Sequence, residues 1–397
     1  MKKIVSLKEV CESDYGVTAS ATEHPTGTHF LRITDIVNFT DYSGVPFVDI
    51  DDEDRRKKLL KQNDIVVART GATVGASHLF RGTEPTVFAS YLVRFRTKTP
   101  DVDPVFVSYV LNSPAWKQFI FANAHSKSAQ PNLSAAAMMD FQFSLPEIRE
   151  QQKIASVLKA LDDKISTNVR IINAADSLVD VLYSRVSKMP TEQSFAKVVQ
   201  VFGGSTPSTK NDAFWDGDIN WATPTDITAL DGPWIGDTSR KITEAGLVSM
   251  SSSLHPENSI LMTSRATIGA IALASGPIAT NQGFIVVEAP DELTPWLFAQ
   301  MKARKREFEA WANGATFMEL SRGNFKKLPF IGCSDDDLQA FNDAAWPLLK
   351  RAQAAQKENQ ILTRTRDELL PLLMSGRITV SEAEEAADVA GAAASES

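Results

Sequence analysis

From residue 154 onward the apolar positions keep alternating spacings of four and three: Ile154, Leu158, Leu161, Ile165, Ile172, Ala175, Val179 and Leu182, with Asn168 interrupting the series. The rhythm returns in the last quarter of the chain, at Leu338, Phe341, Ala345, Leu348, Ala352, Ala355, Asn359, Leu362, Arg366, Leu369 and Leu373. Spacings of three and four sustained over several heptads are the pattern of coiled-coil packing, so two long helices are predicted. One alternative is that each helix merely caps its own globular segment. Arms this long, separated by a globular insertion, pair more simply with each other in antiparallel fashion. That pairing predicts that Asn168 and Asn359 share a level of the seam, within two helical turns or ~11 Å. Pro347 removes a backbone hydrogen bond from the second arm and predicts a kink or a late helix start there.

Outside the arms the pattern changes to short β-like runs such as "DIVVA", "YLVRFR", "SILMT" and "GFIVVE", broken by Gly, Pro, Asn and Ser. These segments are related. "NDIVVARTGATVGA" (63–76) is answered by "ENSILMTSRATIGA" (257–270), an offset of 194 residues. "FLRITDI" (30–36) is answered by "NWATPTDI" (220–227), "FAN" (121–123) by "WAN" (311–313), and "FSLPEI" (143–148) by "KKLPFI" (326–331). Four matches in one order indicate a duplication, with units too long for a solenoid repeat. The predicted fold class is therefore α+β: two strand-rich units alternating with two long helices paired as an antiparallel coiled coil, with a pseudo-twofold internal repeat.

Composition adjusts this picture only slightly. With 43% apolar and 23% charged residues in 397, the chain is ordinary globular protein of two or three domains. Cys11 and Cys333 lie far apart without a CxxC or Cys/His cluster, which argues against a disulfide framework or zinc site and fits a reducing, cytoplasmic setting. No apolar run approaches a membrane span, and no signal-peptide core follows the "MKK" start. The net charge of -8 weakens a nucleic-acid reading without excluding it. Acids are concentrated in "DIDDED" (49–54) and after Gly376, and affinity for phosphates depends on the local patch. The stretch "SEAEEAADVAGAAASES" (381–397) has low complexity and is predicted to be disordered.

Catalytic motifs are absent. There is no GxxxxGK[ST] loop, no GxSxG elbow, no HExxH, and no Asn/Asp-Pro-Pro-aromatic motif of base methylation; the five histidines are scattered. Pro146-Glu147 with Asp162-x-Lys164 comes nearest to a nuclease carboxylate set, but charges flanking an apolar seam account for it. A duplicated, non-catalytic chain with a rigid spacer suits a bipartite linear target, for which DNA with its ~34 Å repeat is the natural candidate.

Three stretches carry a family resemblance: "LPEIREQQKIASVLKALDDKI" (145–165), "GGSTPSTKNDAFWDGDINWATPTDI" (203–227) and "LTRTRDELLPLLMSGRI" (362–378). In this order they resemble landmarks of the DNA specificity (S) subunits of type I restriction-modification systems. The resemblance implies target recognition domains at 1–146 and 189–331, conserved spacer helices at 147–188 and 332–378, and a tail at 379–397. It further implies that each domain reads one half of an interrupted site in double-stranded DNA. Two methyltransferase (modification) subunits would dock on the helices and restriction subunits would join them, with no membrane involved. This chain would hold no cofactor; S-adenosylmethionine, ATP and magnesium would belong to the partners. "YGVTAS" (15–20) departs from the Gly-Gly-Ser-Thr-Pro-Ser opening seen at 203–208, and the second helix lacks the Glu-Gln start of the first. The main rivals are a self-contained restriction or methylation enzyme and a coiled-coil assembly scaffold that does not read DNA.

Base edges are read chiefly by Arg, Lys, Asn and Gln, with further donors placed on phosphates. The first half offers Arg69 and Thr70 in the repeated turn, then Lys127, Ser128 and Gln130. The second offers Thr206, Ser208 and Lys210 after the glycine pair, Ser264 and Arg265 in the turn, and Arg322, Lys326 and Lys327. Trp215, Trp221 and Trp234 read as core aromatics, with stacking on an extruded base as the alternative. The basic run "KARKRE" (302–307) reads as a solvated helix face, with a phosphate track as the alternative. Asp162, Asp163 and Lys164 on the outer face of the first helix are candidates for methyltransferase contacts.

Overall fold

The computed structural model describes residues 3–37, 42–124, 131–313 and 318–396, and the chain divides into two compact units. Unit 1 comprises residues 1–162 with 363–390; unit 2 comprises 163–362 with 391–397. Each long helix therefore contributes to both.

In unit 1 a four-stranded antiparallel sheet has the order Cys11–Tyr15, Leu92–Thr97, Ile65–Ala68, Ser77–Leu79. In unit 2 the order is Gln200–Gly203, Phe284–Glu288, Ile260–Thr263, Ile271–Ala274, with Trp234–Ile235 added in parallel at the edge. The central strands correspond. Ile65 faces Phe95 and Leu79, and Ile260 faces Val287 and Leu273. A short antiparallel pair closes each globular segment, Lys3–Ser6 with Gln142–Leu145 and Met189–Ser194 with Pro329–Gly332. The last strand of each segment leads directly into a long helix.

The structure corrects the register of the repeat. Ile65 and Ile260 are 195 residues apart, as are the left-handed Asn63 (φ 70) and Asn258 (φ 68), whereas Leu79 and Leu273 keep the offset of 194. The second copy has a turn one residue shorter, closed by Gly269 N–H donating to Thr263 O at 2.9 Å where Gly75 donates to Ala68 O at 2.8 Å. A uniform offset was misleading because "IVVA" and "ILMT" are buried at every position. With both faces covered there is no alternation to fix the phase.

The long helices span Ile148–Arg185 and Asp335–Ser375, and every predicted seam position is buried or half-buried. Within unit 2, Ile172 and Ala175 pack against Ala352 and Ala355, while Asn168 donates to Glu358 Oε2 (2.8 Å) and Asn359 reaches Ile165 O (3.4 Å). Residue numbers rise on one helix as they fall on the other, so the pair is antiparallel. Within unit 1, Arg366 occupies a seam position and its charge is met by Asp162 Oδ1 at 2.9 Å. The expected late start at Pro347 is not found: the helix begins at Asp335 and continues through it.

Each helix is also pinned to its globular segment by a buried amide. Gln151, fully buried, donates to Asp101 O (3.0 Å) and Pro146 O (2.8 Å) and accepts from Asp103 N–H (2.9 Å). Asn342 takes this part in the second helix, donating to Glu292 O beside Trp346 Nε1, which donates to Asp291 O. The residues after Ser375 also differ from expectation. Gly376 (φ 72) ends the second helix, and a further helix, Val380–Glu396, replaces the disordered tail. Thr379 and Glu382 form a reciprocal cap, and alanine and glutamate are strong helix formers, so low complexity here does not mean disorder. Among the described residues no helix is long and apolar enough to cross a membrane.

Candidate nucleic-acid interface

Three segments of unit 2 converge at one edge of its large sheet. The first is the end of the strand Gln200–Gly203. A Cβ on Gly204 would lie 2.1 Å from Asn281 O and 2.2 Å from Thr280 O, so only glycine lets Ser205 N–H donate to Thr280 O at 3.0 Å. The second is the turn after Thr263, where Ala266 holds φ 57 and Ser264 N–H donates to Gly283 O at 2.8 Å. The third is Glu319–Arg322, joined to the turn by Leu320 N–H donating to Ser264 O at 3.0 Å. Ser321 caps the short helix Arg322–Lys327 and so presents Arg322 toward Gly203. Between them lies an open, polar cavity of roughly 340 Å³ lined by Gly203, Gly204, Ser264, Gln282, Glu319 and Arg322.

Several predicted residues meet here. Ser264 is buried, Arg265 is exposed and its Nε donates to Glu319 Oε1 at 2.9 Å, and Thr206 donates to Gln282 Oε1 at 2.6 Å. Ser208 and Lys210 are exposed on the following loop. Lys326 and Lys327 are in the last turn of the short helix and do not line the cavity.

Unit 1 builds the same arrangement from other side chains. Gly16 matches Gly204, since a Cβ would lie 2.1 Å from Phe88 O, and Val17 N–H donates to Phe88 O at 2.9 Å. The second glycine of the opening is therefore retained in "YGVTAS", and Tyr15 stands where unit 2 has Gly203. Leu133 N–H donates to Arg69 O at 2.9 Å, as Leu320 does to Ser264 O, and Thr70 bridges Asn132 as Arg265 bridges Glu319. Ser134 caps the helix Ala135–Met139, which puts Ala135 in the place of Arg322. The Arg69 guanidinium lies 4.9 Å over the Tyr15 ring and donates to Asn132 Oδ1 at 3.3 Å; Tyr15 Oη accepts from Ala135 N–H at 2.9 Å. Lys127, Ser128 and Gln130 fall outside the described residues.

For the tryptophans the core reading favoured by the sequence holds. Trp215, Trp221 and Trp234 are all core. Trp234 is locked to the second helix through Nε1, which donates to Leu349 O at 2.8 Å. The run 302–307 is neither a free face nor a continuous track. Lys302 pairs with Asp176 and Asp180, and buried Arg304 with Glu307, leaving Lys305 and Arg306 exposed. Asp162 accepts from Tyr109 Oη at 2.6 Å as well as from Arg366, and Lys164 pairs with Glu358 at 3.3 Å. These two charges hold the chain's own elements together, which weakens their assignment to a partner surface. Tyr15, Asn132, Gln282 and Glu319 were missed by sequence reasoning. Asn132 and Glu319 each follow a repeated landmark, "FAN" and "WAN", and that was the available signal.

The chain is similar to known proteins. A family model described as the type I restriction modification DNA specificity domain matches residues 2–176 and 194–331. The type I restriction enzyme MjaIX specificity subunit of Methanocaldococcus jannaschii is 32% identical over 191 residues, covering 46% of this chain and 44% of that protein. The match thus spans less than half the length of that relative. The HindI specificity subunit of Haemophilus influenzae is 21% identical across 81% of this chain and 88% of its own. The crystal structure of a type I restriction-modification system S subunit from M. genitalium shares the fold, with a TM-score of 0.61 at 15% identity over 94% of this chain and 96% of that one.

Proposed function

The chain belongs to the type I restriction-modification DNA specificity family, and from that premise we propose that it is the specificity subunit of such a complex. The target recognition domains at 1–146 and 189–331 each read one half of a bipartite, interrupted site in double-stranded DNA. The observation that carries this reading is the station built twice from the same three segments, with Tyr15, Arg69, Asn132 and Ala135 in one copy and Gly203, Ser264, Glu319 and Arg322 in the other. Shared backbone with exchanged base-reading side chains is what two readers of different half-sites require.

The helical segments set the unread gap between the half-sites and carry two methyltransferase subunits; restriction subunits complete the complex. Methyl transfer, with S-adenosylmethionine, and translocation and cleavage, with ATP and magnesium, belong to those partners. The chain itself is non-catalytic and works on the DNA of the cytoplasm. Selection from a randomised duplex library by the chain bound to its methyltransferase subunits tests this. The expected outcome is two separated blocks of preferred bases. Binding without sequence preference would favour an assembly scaffold, and methylation or cleavage by the chain alone would favour an enzyme.

A further inference from the structure

The geometry points to Glu319 as a positioning residue for Arg265, and to the pair as the guanine-reading station of the second recognition domain. This rests on the specificity-subunit reading and goes beyond it by naming a base. Glu319 is itself held firmly: its N–H donates to Asn313 O at 3.1 Å, its carbonyl accepts from Asn313 N–H at 3.0 Å, and its backbone bridges Arg265. Its carboxylate accepts a hydrogen bond from Arg265 Nε–H at 2.9 Å. The pair uses Nε, and among the described residues no other ion pair engages that guanidinium; both side chains are exposed (45% and 37%), which leaves Nη1 and Nη2 as the donors for a ligand. Two parallel donors on a fixed plane match the O6 and N7 acceptors of guanine in the major groove.

Charge separates this role from phosphate binding. An arginine placed only to attract phosphates gains nothing from a neighbouring carboxylate, which cancels its charge and lessens counterion release. An arginine placed to read a base does gain, because the carboxylate removes rotamer freedom before the DNA arrives. In unit 1 the equivalent bridge is the uncharged pair Thr70 and Asn132, and Arg69 is laid on Tyr15. The two stations therefore ask for different bases.

Library selection with the complete methyltransferase complex provides the test. Glu319→Ala is expected to reduce guanine preference at one position of one half-site roughly ten-fold, with the base preferences of the other half-site unchanged. Glu319→Gln keeps an acceptor for Nε and should retain most of the preference, while Arg265→Lys, lacking the fork, should lose it. Intact preference at the other half-site shows that each variant is folded. Guanine preference left intact in Glu319→Ala, with binding to all sequences uniformly tighter, would make Glu319 a charge that merely opposes phosphates and would overturn the assignment. Loss of all preference in the unsubstituted complex would instead overturn the specificity reading itself.

Discussion

At the scale of single residues, Arg265 and Glu319 join two segments of unit 2 that are distant in the chain, with Nε 2.9 Å from Oε1. Arg265 and Ser264 stood out because arginine in a repeated turn is a plausible reader, yet Glu319 lies 54 positions further on and meets Arg265 only through the fold. Tyr15 was hidden for the opposite reason: it replaces a glycine, so the motif looked broken although Gly16 preserves the close approach. Histidine 78 shows how burial sets chemistry away from the station. Burial, aided by the Arg81 charge, pushes its pKa down to about 4, with Nε2 2.9 Å from Tyr42 Oη. The folded value lies below the ordinary ~6.5. Its contribution to stability is therefore fully present above pH ~6.5 and is lost as the pH falls through about 4, amounting to about 3 kcal/mol at the limit. Denaturant unfolding of the parent and of His78→Gln between pH 7 and pH 4.5 should show a shallower acid loss in the variant; identical slopes would contradict this.

At the scale of elements, the heptads identified both long helices because a seam of apolar residues is periodic whatever covers the other faces. What anchors each helix was less visible, since Gln151 and Asn342 do one job with different residues. Replacing Gln151 with Leu would leave Asp101 O, Pro146 O and Asp103 N–H without this partner and should cost unit 1 at least about 1–3 kcal/mol. Urea denaturation measures it, and a change under about 0.5 kcal/mol would mean that water replaces the amide. The strand register was illegible for a physical reason: "IVVA" and "ILMT" are buried on both faces, so the one-residue shortening of the turn left no trace in the polarity pattern. The helix Val380–Glu396 was missed because composition was weighed above helix propensity and the Thr379–Glu382 cap.

For the whole molecule, duplication is the feature on which the proposed function rests. A repeat was visible in the chain, and the structure gives it content by building one three-segment station in each unit. Nothing in periodicity could show that Arg265 and Glu319 stand where the first copy has Thr70 and Asn132, because the second partner of each pair is distant in sequence. On the proposed function, that divergence lets a single chain read two unlike half-sites. Mapping methylated bases across the genome of cells with and without this chain tests the claim most directly. The account predicts the loss of one interrupted motif, both half-sites together, when the chain is absent, and degeneracy confined to one half-site when Arg265→Ala replaces it. An unchanged methylation map, or the loss of a single uninterrupted motif, would contradict it.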